Sequence, residues 1–178
     1  MPENTLDKII RKKIGKRTIF NMIGPLSSPA LVECQVVGVY DKRLLKIFAE
    51  ALKNLNIKFA WIVNSEDGLD EISPYAKTNV AQLKDGKISE ITIDPKELNI
   101  DANKFEDLLG DDAKFNANKI VDIFKGEDSD FSKAVCLNTA AGLIVAGKYS
   151  LFNSAYKDAR KYILSGKTYG NLKKLQNA

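Results

Sequence analysis

Histidine is absent from all 178 residues. Its absence removes Ser-His-Asp and Cys-His catalysis, histidine metal ligation and imidazole acid-base work, so any chemistry falls to carboxylates, arginine, backbone groups or a metal. Cysteine is nearly absent too. Cys34 and Cys136 each lie in an apolar run with no C-x-x-C spacing, which argues against a disulfide framework or a zinc site and fits a reducing cytoplasm. No apolar stretch reaches the length of a membrane span, and residues 1–10 are too polar for a signal-peptide core. Low-complexity linkers and internal repeats are also missing.

What is present is ordinary globular material, 44% hydrophobic and 28% charged. At this length one well-buried core is expected, so residues 1–178 are read as a single unit. Basic and acidic side chains are interspersed and leave a net charge of +4, which implies no polyanionic partner. The exception is the cluster of Lys8, Arg11, Lys12, Lys13, Lys16 and Arg17.

Val32–Tyr40 is largely apolar and β-branched, with Asp41 after it as an expected helix N-cap. Leu44, Leu45, Phe48, Ala51, Leu52 and Leu55 then recur at helical spacing, and Phe59–Val63 forms a second apolar run. Strand, helix and strand in this order predict a βαβ unit with parallel strands. Thr78–Leu83 and Ile88–Ile93 flank Asp85-Gly86, the dipeptide of a tight hairpin. Helical patterns follow from Asp111 to Gly126, from about Ser132 to Ala146, and from a Ser150 cap to Gly166. The expectation is an α/β fold: a mixed, mainly parallel sheet with an antiparallel hairpin and a helical carboxyl-terminal region.

Two segments carry a resemblance. Arg11 to Pro25, with Leu26, Pro29 and Ala30 after it, is similar to the R-x-x-L-G-x-R-T-x-F-N-x-x-G-P-L-x-x-P-A signature of the anthranilate phosphoribosyltransferase family, and Glu66 to Pro74 resembles that family's second signature. Weaker similarity continues through residues 110–117 and 138–141. The resemblance implies part of a nucleoside phosphorylase/phosphoribosyltransferase-like domain, and transfer of phosphoribosyl from phosphoribosyl pyrophosphate to the anthranilate amine in tryptophan biosynthesis. The family's G-T-G-G-D phosphate loop and K-H-G-N segment do not occur in this sequence. The chain is therefore expected to correspond to the carboxyl-terminal half, to need an amino-terminal half as partner, and to be inactive alone. A homodimer is compatible with the family. No membrane partner is implied, and nucleic acid is disfavoured.

Site residues follow from the same resemblance. Asp70 and Glu71, just past the carboxyl end of an expected buried strand, match the pair that holds Mg²⁺ in the family; adjacent carboxylates suit an ion that takes oxygen ligands and bridges to phosphates. An Asp-Glu pair in an arbitrary loop is ordinarily only a solvated turn, and the surrounding G-L-D-E-I-S-P match is what lifts it. Arg11 matches the arginine that contacts anthranilate, its planar fork suiting a benzoate. Gly24-Pro25 is read as a stiffened wall that lets backbone approach the flat substrate. No residue is assigned as a catalytic acid or base. Asp111 replaces a usual family glycine, with an expected cost if φ is positive there. Two rival readings are a pyrimidine nucleoside phosphorylase and a non-catalytic relative that binds nucleic acid through the basic cluster; salt-dependent DNA binding would mark the latter.

Overall fold

The computed structural model describes residues 24–27, 30, 32–102 and 105–177. The chain divides into two compact units, Met1–Val32 and Glu33–Ala178. In the first, Gly24, Pro25 and Leu26 are helical and the Ser27 amide donates to the Gly24 carbonyl at 3.3 Å.

The second unit is built on a four-stranded sheet in the order β1-β2-β3-β4, comprising β1 (Cys34–Gly38), β2 (Phe59–Ser65), β3 (Thr78–Lys84) and β4 (Lys87–Ile93). β1 and β2 pair in parallel across helix α1 (Leu44–Asn54), as the strand-helix-strand pattern predicts. β2–β3 and β3–β4 are antiparallel. The sheet is mixed as expected, but among the described residues its parallel part is one pairing, because the segment after β2 returns directly instead of crossing over through a helix. Asp85 and Gly86 take φ of 48° and 75°, which lets the β3–β4 hairpin close in two residues.

Side chains of β2 alternate between two cores. Ala60 and Ile62 lie with Leu45, Phe48, Ala49 and Leu52, the buried face of α1. Trp61 and Val63 point the other way, into the larger core completed by α3 (Asp130–Val145) and α4 (Phe152–Leu164). Helices α2 (Ala113–Phe124) and α5 (Lys167–Gln176) pack against one another at the periphery.

Two expected caps differ. Asp41 does not cap α1; its carboxylate accepts from the Arg43 amide at 2.9 Å and pairs with the Arg43 guanidinium, closing a turn ahead of the helix. Ser150 does not cap α4, whose N-cap is Leu151 with no side-chain hydrogen bond. At α3 the cap is Ser129, which exchanges hydrogen bonds with Ser132. Asp112 caps α2, and Asp111 has no positive φ, so the strain expected from replacing glycine there does not arise.

Candidate functional site

β1 and β2 end side by side, and the chain leaving β2 forms a loop, residues 66–77, held over their carboxyl ends. Its base is closed by backbone: the Ser65 amide donates to the Leu69 carbonyl and the Glu66 amide to the Lys77 carbonyl, both at 2.9 Å. Ser73, fully buried, ties the interior. Its hydroxyl donates to Asp67 Oδ2 at 2.5 Å and accepts from the Tyr75 amide at 3.0 Å, while its own amide donates to Thr78 Oγ1 at 3.2 Å. The Tyr75 hydroxyl donates to Asp130 Oδ2 at 2.9 Å, and Lys133 pairs with the other Asp130 oxygen at 2.6 Å, fastening the loop to the first turn of α3.

Two further contacts position the loop's tip. Asn138, on α3, accepts from the Ile72 amide at 3.0 Å and donates back to the Ile72 carbonyl at 3.2 Å, a two-way clamp spanning 66 residues of sequence. Gly38, the last residue of β1, lies against the Asp70 backbone so closely that a Cβ there would fall 1.6 Å from the Asp70 carbonyl oxygen. Only a residue without a side chain fits this approach. The tip is thus gripped from the strand on one side and the helix on the other.

Asp70 and Glu71 occupy that tip, exposed, on an open cleft of about 540 Å³ lined also by Val36, Gly38, Val63, Val135, Asn138 and Thr139. Among the described residues neither carboxylate has a hydrogen bond or an ion pair. Two adjacent carboxylates held by rigid neighbours and left without a cationic partner form a donor set for a hard divalent cation. Among the described residues no group of three or more metal-binding side chains is found.

Of the other expected site residues, Gly24 and Pro25 belong to the first unit, where a Cβ on Gly24 would meet nothing within 4 Å. Arg11 lies outside the described residues. Sequence reasoning did not single out Gly38, Asp67 or Ser73 and gave Asn138 no role. One usable signal was the side-chain amide of Asn138 in the run from Ala134 to Val145, which holds no charged residue and is apolar apart from Asn138 and Thr139.

Residues 6–169 match the family described as the glycosyl transferase family, a/b domain. The chain belongs to this family. Within it, the chain is 80% identical over 167 residues to the anthranilate phosphoribosyltransferase of Pelagibacter ubique (strain HTCC1062), covering 94% of this chain and 51% of the relative. Its fold is similar to the anthranilate phosphoribosyltransferase of Thermus thermophilus, with a TM-score of 0.82 at 31% identity over 93% of this chain and 49% of that one. A Saccharomyces cerevisiae anthranilate phosphoribosyltransferase variant solved with Mg bound is similar at a TM-score of 0.83 and 25% identity, again over 93% and 49%. The chain spans about half the length of the relatives it matches.

Proposed function

We propose that the chain supplies the magnesium-binding half of an anthranilate phosphoribosyltransferase, acting in the cytoplasm in tryptophan biosynthesis. The carrying observation is the Asp70–Glu71 pair: exposed, without a cationic partner among the described residues, and fixed by Gly38 and Asn138 at the carboxyl ends of two parallel strands. High identity to a protein of that name and a similar fold solved with Mg bound support the reading.

In the reaction, the anthranilate amine displaces pyrophosphate from the anomeric carbon of phosphoribosyl pyrophosphate. Such a step needs reactants positioned and departing charge neutralised more than it needs a strong base, which accommodates a histidine-free half. Mg²⁺, when bound, would supply positive charge to the phosphate oxygens. The chain's own residues hold and orient: Asp70 and Glu71 offer oxygens to the ion, and the clamped loop keeps them from rearranging as charge develops. Arg11 pairs with the anthranilate carboxylate, and Gly24-Pro25 lines the ring.

The test is reconstitution. The purified chain is expected to consume no anthranilate, and to do so with phosphoribosyl pyrophosphate and Mg²⁺ once the amino-terminal half of the P. ubique relative is added. Anthranilate fluorescence follows the loss of substrate directly. Turnover by the chain alone, or none in a mixture shown to form a folded complex, would remove the proposal.

A further inference from the structure

Helix α3 packs on β1 and β2, and toward β4 the inner face of the sheet is left partly open. A trough of about 450 Å³ lies there, bounded by the sheet, the end of α3, the start of α4 and the 3₁₀ turn Pro95–Leu98 that follows β4. Its volume is that of a small-molecule site. Phe59, Ile91, Leu98, Tyr149 and Phe152 each reach it half-buried, and Trp61 lines it from β2, tilted against Phe152 at 5.7 Å between ring centres. The polar atoms of these rings are committed: the Trp61 indole N–H donates to Gln82 Oε1 at 3.0 Å, and the Tyr149 hydroxyl donates to Asp158 Oδ2 at 2.8 Å. What they leave to the trough is ring and aliphatic surface, which suits a flat apolar group.

The two ends of the trough differ in charge. Pairing of β3 with β4 sets Lys84 opposite Lys87 at the hairpin end and Thr78 opposite Ile93 at the other. Lys84 lines the hairpin end, its Nζ 5.1 Å from the centre of the Phe59 ring and without a carboxylate partner among the described residues. Asp94 and Glu97 line the opposite end, where Asp94 accepts from the Lys96 amide at 3.0 Å and pairs with Lys77 at 3.2 Å. A carboxylate entering the trough is therefore drawn to Lys84 and repelled from the Asp94 end.

We infer that this trough is a binding site for a small aromatic carboxylate, whose ring lies against Trp61, Ile91 and Phe152 and whose carboxylate meets Lys84 Nζ. Lys84 stands two residues along β3 from Gln82, the cross-strand neighbour of Trp61, a separation of about 7 Å that a ring with a short acid chain spans. An α-amino acid fits less well, because its ammonium would sit beside Lys84 instead of at the acidic end. No residue of the trough lines the cleft at Asp70 and Glu71, and none is Arg11, Gly24 or Pro25, so the site is additional to those expected for the reactants. It does not depend on the reaction proposed above.

Trp61 is the only tryptophan in the sequence, so its emission reports on the trough directly. The probe is 3-phenylpropanoate, with 3-phenylpropanamide as its uncharged match, and excitation is set where tryptophan alone absorbs. Titration of the full chain with the acid should change the emission saturably, with a Kd of roughly 0.1–1 mM. Lys84→Gln should weaken the acid about five- to tenfold and leave the amide, already the poorer ligand of wild type, unchanged. Lys87→Gln removes a lysine that faces Lys84 across the hairpin but does not line the trough, and should alter neither. Both lysines are exposed, so the thermal midpoints of the three proteins should agree. Four results would overturn the inference: no saturable change at concentrations many times that Kd, equal affinity of wild type for acid and amide, equal effects at Lys84 and Lys87, or tighter binding of L-phenylalanine than of the acid.

Discussion

Gly38→Ala is the smallest change that tests how the carboxylate pair is held. The new methyl would sit 1.6 Å from the Asp70 carbonyl oxygen, whereas real Cβ atoms essentially never come within 3.0 Å of another heavy atom, so one backbone must retreat by well over an ångström. Neither is free to do so. The Val39 amide donates to the Val63 carbonyl at 2.9 Å just past Gly38, and the Asn138 clamp holds Ile72 two residues beyond Asp70. A clash between two tethered backbones belongs with overpacking, which costs about 1–3 kcal/mol and corresponds to a fall of roughly 3–10 °C in the midpoint of a chain this size. Function should suffer more. A shift of about 1 Å in groups that position a substrate can cost on the order of a hundredfold in rate. Differential scanning calorimetry of the isolated chain gives the first number, and turnover of the reconstituted protein gives the second. A Gly38→Ala chain with an unchanged midpoint and unchanged turnover would mean that the β1 contact does not position the loop.

The remaining predictions separate the roles of individual groups. Replacing Asp70 and Glu71 by Ala should change stability by no more than about 0.5 kcal/mol, since both are exposed and bond to no described residue, while Mg²⁺-dependent turnover collapses; unfolding at ordinary temperature would instead make the pair structural. Asn138→Ala should lower turnover by releasing the loop and should also cost about 1–3 kcal/mol of stability by leaving the Ile72 amide unpaired beside a fully buried side chain, which urea unfolding would read. Arg11→Ala should raise the KM for anthranilate about ten- to a hundredfold and Arg11→Lys recover part of it, with Lys13→Ala nearly silent; equal effects at Arg11 and Lys13 would reduce Arg11 to a member of a diffuse positive field. Burial pushes the Cys136 thiol up to about 11. Because the folded state holds that proton more tightly, the contribution is complete below the ordinary thiol value of 9.0 and is lost as pH rises through 11, so midpoints over that range should fall more steeply for wild type than for Cys136→Ala.

Legibility in the sequence followed the reach of each interaction. β2 and the hairpin were readable because an unbroken apolar run and the Asp85-Gly86 pair act within a few residues. α3 was readable from its small apolar residues and Gly147. The caps at Asp41 and Ser150 were misplaced because each residue type serves a turn as readily as a helix start, and tertiary packing chose where α1 and α4 begin. α5 carries no buried residue and offered little pattern to read. At the site, Asp70 and Glu71 were legible only through the resemblance to a family signature. What holds them was not, since the Gly38 approach and the Asn138 clamp join segments that are 32 and 66 residues apart, and no local pattern shows what either residue touches.

The central claim is that Asp70 and Glu71 give this chain its part in the reaction by holding the metal. A Mg²⁺ titration of turnover tests it most directly, using the chain reconstituted with the amino-terminal half of the P. ubique relative, in wild-type form and with both carboxylates replaced by Asn and Gln. The isosteric amides preserve the loop's shape and remove its charge. Wild type should saturate with Mg²⁺, and the variant should need far more of the ion or fail to reach measurable turnover, with the two complexes equally stable to heat. Superimposable titrations would contradict the account and send the search for the metal's ligands elsewhere in the fold.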